Sequence, residues 1–245
     1  MKNLLLAWRN IWRNKRRTLI TVASIFFGVL LATLMTSMQE GIYSKMIDNV
    51  VSFYSGYMQI HSPDYWENKT LENTFVPQKE LFSKLDNSDD INRYAQRLEN
   101  FTLISSGNNT KGAALIGVDP EAENNITGLS KWVSEGSYFT SDQKGVLVAI
   151  NIANNLNVGV GDSIVLLSQG YHGVTAAAIY PILGILDFPT AQMDNLGVYV
   201  PLKSAQTFYS APDRITSIVI MTSDYNEVIH DKNILQNNIG NDYSV

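Results

Sequence analysis

The chain has 245 residues, is 45% hydrophobic and 17% charged, and carries a formal charge of −5. That composition is ordinary for a folded protein and excludes a collagen-like or intrinsically disordered chain. It contains no cysteine, which excludes a disulfide framework, a cysteine nucleophile and a thiolate metal site.

The charge is unevenly spread. Residues 1–17 hold six basic groups (Lys2, Arg9, Arg13, Lys15, Arg16 and Arg17) and no acidic one. The rest holds 12 basic and 23 acidic groups, a formal charge of −11. A body this acidic argues against nucleic acid as a partner, because phosphate binding needs clustered Lys or Arg.

The first predicted element is an amphipathic helix within residues 1–17. "NLLLAWRNIWRN" places Leu4, Leu5, Trp8, Ile11 and Trp12 on one side, with Arg9 and Arg13 opposite. Tryptophans beside basic groups suit a helix lying in the lipid headgroup layer. Trp8, Arg9, Trp12, Arg13, Arg16 and Arg17 are therefore the expected interfacial anchors. Reading this stretch as part of the span would put Arg9 and Arg13 in hydrocarbon, which is costly.

From Thr18 to Gln39 no residue is charged. A helix of about 20 residues crosses roughly 30 Å of hydrocarbon, so residues 18–39 are long enough to span a bilayer. A buried helix of a soluble protein would normally show a polar face. A cleaved signal has a shorter apolar core and a small-x-small site, and "TSMQEG" is a poor one. The expectation is an uncleaved transmembrane helix. The basic tip stays in the cytoplasm and everything after Met38 lies outside.

Within the span Ser24, Gly28, Ala32 and Thr36 recur every four residues, giving one helical face of small side chains. Such a face lets helix backbones approach closely in lipid, although small residues are common in spans and also fall in line by chance. Ile42, Met46, Ile47 and Val50 keep a helical spacing, so the helix should continue through Gln39–Val51, with residues 40–56 forming a stalk.

Residues 57–245 alternate strand-like and helix-like pieces. "YMQIH" reads as a strand, and "PQKELFSKL" as a short helix opened by Pro77. "FTLISSGNNTKGAALIGV" reads as a hairpin turning at Gly107–Asn109. "INIANNL" reads as a helix closed near Gly159, "DSIVLL" and "GVYV" as strands, and "PLKSAQTFY" as a helix opened by Pro201. "ITSIVIMT" reads as a strand. Asp224 and Glu227 should cap a last helix carrying Val228, Leu235 and Ile239. The predicted fold class is α+β with a mixed or mostly antiparallel sheet. Two subdomains are expected, residues 57–118 with 210–245, and residues 119–209.

No catalytic constellation is legible. None of His61, His172 and His230 has a second His, Asp or Glu at i+3 or i+4 spacing on a convincing helix, and His61 with Asp64 flanks Pro63 in a turn. "GVGD" at Gly159–Asp162 matches a string found in intramembrane aspartyl proteases. That chemistry needs a second carboxylate and a membrane helix around each, so a helix stop and tight turn is the better reading. There is no GxSxG elbow and no GxxxxGK[ST] loop. The expected catalytic, cofactor and metal sites are none.

"AWRNIWRNKRRTLITVASIFFGVLLA" resembles the opening of permease subunits of the MacB–LolC–FtsX group of ABC transporters: an interfacial helix, a basic elbow and a first span. "ALIGVDPEAE", "GVLVAINIANNLNVGVGDSIVLL" and "GVYVPLKSAQTFY" resemble successive pieces of that group's outer domain, in the same order. The resemblance covers essentially the whole chain, and "GVDPE" leans it toward the lipoprotein-releasing LolC/LolE-like subunits.

The resemblance implies a non-catalytic permease subunit of the bacterial inner membrane, with a MacB-like periplasmic core domain and no cofactor of its own. It implies a separate cytoplasmic ATPase, a second permease subunit (the same chain or a homologue), contact with lipid, and a lipoprotein or periplasmic protein acted on outside. The group's permeases have three further spans, and no second apolar run precedes Val245. The chain looks like the first span plus periplasmic core of a longer protein. The competing expectation is a single-span periplasmic sensor or adaptor that binds a ligand or protein partner. It leaves the ordered family pieces unexplained, and 17 inner residues are few for a signalling domain.

Overall fold

A computed structural model of the chain describes Trp8 and residues 12–88, 91–195, 197–222 and 227–245. It divides into two compact units, Met1–Asn49 and Val50–Val245.

The first unit is dominated by helix α1 (Lys15–Val50), 36 residues long. Its stretch Lys15–Tyr43 is long and apolar enough to cross a membrane and buries none of that surface within the chain. Five hydroxyls along it (Thr18, Thr21, Ser24, Thr33 and Thr36) each donate to the carbonyl four residues earlier. The helical spacing seen after Gln39 continues without a break to Val50.

The second unit opens with a π-helical turn, Val51–Ser55. Strand β1 (Met58–Ile60) follows, then helix α2 (Lys79–Asp86) and the long strand β2 (Ile91–Ser106). β2 turns into β3 (Asn109–Val118) through Gly107 and Asn108, with Ser106 paired to Asn109. Gly107 sits at φ 55, a conformation that glycine adopts at no steric cost, and this fixes the two-residue hairpin where the sequence placed it. Next come α3 (Pro120–Thr127), β4 (Val133–Gly136), β5 (Val146–Ala149), α4 (Ile150–Leu156), β6 (Ser163–Gln169) and β7 (Thr175–Leu186). The unit closes with β8 (Gly197–Pro201), α5 (Leu202–Phe208), β9 (Ser217–Thr222) and α6 (Val228–Ile239).

The nine described strands form one mixed sheet. Its pairing closes on itself: β2 pairs β3, β3 pairs β8, β8 pairs β5, β5 pairs β7, β7 pairs β6, and β6 returns to β2. The main apolar cluster draws on all six of these strands, for example Ile104, Leu115, Val198, Leu147, Ile182 and Leu166. Beyond the circuit, β9 and β1 continue the sheet from the first half of β2. There Ile60 and Ile220 pack with Leu81 and Leu85 of α2 and Leu235 and Ile239 of α6 in a second cluster. The expected α+β class with one N-terminal apolar helix is what the chain adopts.

Three local expectations change. Helix α4 is closed by Asn157 rather than near Gly159. Asn157 takes the left-handed conformation (φ 54), and its N–H and that of Val158 cap the last carbonyls. Asparagine tolerates that region because its short polar side chain can bond locally. Glu227 does occupy the N-cap of α6, but its side chain makes no capping hydrogen bond, and Asp224 lies outside the described residues. Helix α3 and strands β4, β5 and β7 were not foreseen as such. β7 contains Pro181, at the point where the strand leaves β6 and joins β5. A proline ends one ladder without breaking the strand there.

Candidate functional site

The residues singled out on α1 stay together. Ser24, Gly28, Ala32 and Thr36 lie one turn apart and are exposed. A Cβ added at Gly28 would meet nothing within 4 Å. The Trp8 and Trp12 rings are 6.1 Å apart, and the Lys15 ammonium lies 5.9 Å from the Trp12 ring. Arg13, Arg16 and Arg17 are exposed, while Leu4, Leu5, Arg9 and Ile11 lie outside the described residues.

The histidines take separate roles. His61 is buried and its Nε2 accepts a hydrogen bond from Trp66 at 2.5 Å. His172 is exposed and faces Glu72 at 3.2 Å. His230 sits on α6. Among the described residues no three His, Cys, Asp or Glu side chains gather as a metal would require. Asp162 of "GVGD" accepts the Gly159 N–H at 2.8 Å, which makes that string a turn.

The densest chemistry is at the start of the second unit, and no sequence pattern marked it. Arg97, in the middle of β2, is fully buried. Its Nε and Nη2 donate to the two carboxylate oxygens of Glu123 on α3, at 2.9 and 2.7 Å. Thr127 one turn on donates to the same carboxylate. Helix α3 is set for this by its own sequence. Asp119 accepts from the N–H groups of Glu121 and Ala122, Pro120 stands at the first position, and Gly128 closes the helix in the left-handed conformation. The guanidinium also lies 4.9 Å from the Tyr54 ring, within the π-helical turn. Tyr54 donates its hydroxyl proton to Glu99 at 2.6 Å. The third guanidinium nitrogen, Nη1, is buried without a hydrogen-bond partner and lies 3.5 Å from Glu99 Oε1.

Two backbone features hold the turn against this network. The Gly56 N–H closes the turn on Val51 O, and the Tyr57 N–H reaches Ile220 O of β9. Gly56 sits at φ 64, and a Cβ there would fall 2.4 Å from Val219 Cγ1. The chain passes too close to β9, in the wrong backbone region, for any other residue.

Tyr54 and Arg97 both hold their protons. Burial pushes the Tyr54 phenol far up, and the Glu99 carboxylate adds to it, so Tyr54 is always a donor. Burial opposes the charge on Arg97, but Glu123 and then Glu99 outweigh it and raise its pKa, so Arg97 is always a cation. Both carboxylates are already engaged by these donors. The arrangement holds the turn Val51–Ser55 against β2.

The fold is thus a mixed α+β body on a closed strand circuit that holds a buried ionic cluster, preceded in the chain by one apolar helix. The family model described as "MacB-like periplasmic core domain" matches residues 18–229, so the match takes in both helix and body. The chain belongs to that family, whose domain occurs in permeases of the ABC transporter type.

Over 135 residues the chain is 30% identical to the lipoprotein-releasing system transmembrane protein LolE of Haemophilus influenzae, a match covering 50% of this chain and 31% of that protein. The chain therefore spans about a third of the length of that relative. Two crystal structures share the fold. The extracellular domain of the noncanonic ABC-type transporter YknZ from Gram-positive bacteria superposes with a TM-score of 0.52 at 14% identity, covering 77% of this chain and 98% of that one. The periplasmic region of MacB from Actinobacillus actinomycetemcomitans gives a TM-score of 0.52 at 15% identity, covering 76% and 85%.

Proposed function

We propose that the chain is the first span and periplasmic core of an ABC transporter permease subunit, held in the bacterial inner membrane with its N-terminus in the cytoplasm. A separate cytoplasmic ATPase drives movement of the span. The helix carries that movement outward, and the body uses it on the far side of the membrane. The observation that carries this reading is α1 itself, one unbroken helix from the basic tip to Val50, inside a family match that begins at Thr18. A continuous helix transmits an axial push or a rotation, whereas a flexible linker would absorb it.

In this reading Ser24, Gly28, Ala32 and Thr36 pack against other spans or a second permease subunit. Trp8, Arg9, Trp12, Arg13, Arg16 and Arg17 anchor the tip at the inner headgroups. Lipoprotein release is the proposed task, supported by the partial likeness to LolE. We also propose the two subdomains, 57–118 with 210–245 and 119–209. The apolar cluster around Ile60, Leu81 and Ile220 gives the first a core of its own, while its strands β2 and β3 also pack in the main cluster with β5 to β8 of the second.

Because the chain has no cysteine, topology can be tested by single labels. With an impermeant maleimide on intact spheroplasts, Ser141→Cys should label, and Lys15→Cys should label only after permeabilisation. The reverse pattern would overturn the reading. In the full-length protein, Gly28→Leu should disrupt assembly with the partner permease or uncouple ATP hydrolysis from release. Normal co-purification and release would remove the packing face from the account.

A further inference from the structure

We propose that His61 and Trp66 form an acid-operated clasp on the body, in which a proton taken up by His61 forces the Trp66 indole off its ring. The clasp uses no part of the transporter reading. That reading only places it where the acidity of the medium reaches it.

An indole N–H is a donor only, so the His61 Nε2 that Trp66 Nε1 reaches at 2.5 Å is the bare nitrogen of a neutral imidazole. The one ring hydrogen is therefore on Nδ1, which is buried with no hydrogen-bond partner. Nε2 is the only atom left to take a second proton. Once it does, two N–H groups point at each other and the bond to Trp66 is lost. No other tautomer of the charged ring restores it, because both nitrogens of an imidazolium are donors.

The charged ring has nothing to hold it in place. His61 is 2% exposed. The charges that act on it are both positive, Lys69 further along the same segment and Lys232 of α6, and no carboxylate is among them, Asp64 and Asp242 included. Strand β9, paired beside β1, carries no ionisable side chain, and the Tyr65 phenol stacked on His61 is kept neutral by burial. An unpaired cation cannot stay buried cheaply, so the charged ring must reach water. The part free to move is Trp66. His61 is held by two backbone hydrogen bonds to Ser244, whereas among the described residues neither the N–H nor the carbonyl of Trp66 is bonded to another backbone group. The Trp66 ring stands edge-on to His61 at 5.2 Å and is already 55% exposed. The Lys69 ammonium lies 3.8 Å from that ring, so a departing indole takes one of the two opposing cations with it. Opening and proton uptake thus favour each other, and the ratio of open to closed clasp should rise about tenfold per pH unit below pH 6.5.

Fluorine NMR of the full chain in uncharged detergent micelles, with 5-fluorotryptophan at its four tryptophans, reads the clasp directly. The Trp66 resonance is the one that Trp66→Phe removes. As pH falls from 6.5 to about 4 it should move to the position of a solvent-exposed indole, with the other resonances unchanged. In His61→Gln, whose side-chain oxygen accepts from Trp66 but takes no proton, it should stay where it is over the same range. Lys232→Gln leaves the His61–Trp66 contact intact and should raise the midpoint pH, since one opposing cation is gone. A Trp66 resonance that is still in the folded parent, or that moves equally in His61→Gln, overturns the clasp. So does an unshifted midpoint in Lys232→Gln. Movement of all four resonances together overturns it too, because that is acid unfolding of the whole chain. No ATPase or partner enters the measurement, so its failure leaves the transporter reading untouched, and failure of the labelling experiment leaves the clasp untouched.

Discussion

Inside the strand circuit Leu115, Leu147, Val148 and Leu166 are fully enclosed by other hydrocarbon. Beneath the turn Val51–Ser55, Arg97 is just as fully enclosed, but it is held by two carboxylates and a tyrosine ring. The first kind of burial is non-directional, and its stabilisation scales with area. The second fixes geometry, because each N–H needs one particular oxygen at one particular angle. A core of the first kind keeps the body in one piece. A cluster of the second kind specifies where the opening turn lies against β2.

The sharpest way to break this contrast is to remove one partner from the ionic cluster. Glu123→Leu leaves Arg97 buried without its bidentate partner and should cost about 3–5 kcal/mol, read as a lower midpoint in denaturant unfolding. Adding Arg97→Met should recover much of that loss, since a pair of buried charges replaced together by apolar side chains is often close to neutral.

Leu147→Ala in the circuit should cost about 2–5 kcal/mol by the same measurement, because it leaves a cavity in a core where Leu147 is fully enclosed. Recovery of the first loss but not of the second by a single further substitution is the outcome that separates directional from non-directional burial. Gly56→Ala should cost about 1–3 kcal/mol, from a left-handed backbone position and a Cβ set against Val219.

The smallest effect is a pH dependence. Burial, with Lys69 and Lys232 adding to it, lowers the pKa of His61 from 6.5 to about 4. The unfolded chain therefore takes up the proton first as pH falls. The stability present above pH 6.5 is lost progressively as pH drops from 6.5 through about 4. Melting temperature should fall by a few degrees more across that window in the parent than in His61→Gln. Equal slopes would show that His61 titrates freely.

What could be read from residues alone follows from the range of the forces involved. The apolar run after Arg17, the Gly107 hairpin and the strand through Ile218 and Ile220 are local patterns, and each appeared where its residues placed it. "INRYAQRLEN" gave no strand signal because Arg97, a charged residue, points inward at a position where alternation calls for an apolar one. Its partner Glu123 is 26 residues away, on a separate element. The signals for α3 are present (Asp119 and Pro120 at one end, Gly128 at the other) and mark a capped helix, but not the strand it packs on. Nothing in the local pattern could have brought Tyr54 to Glu99, 45 residues apart, since that contact depends on β9 lying between β1 and β2. β7 was hidden by its alanines and by Pro181, whose place is understandable only once the strand is seen to change neighbours.

The hydroxyls of α1 add one further consequence. Thr18, Thr21, Ser24, Thr33 and Thr36 each bond a carbonyl on their own helix, so every O–H carries its acceptor along as the helix turns. A polar group that relied on a neighbouring span would tie the helix to one orientation, because any rotation would strand it in oil at a cost of several kcal/mol. These five hydroxyls have acceptors on their own helix, so rotation about its axis does not strand them.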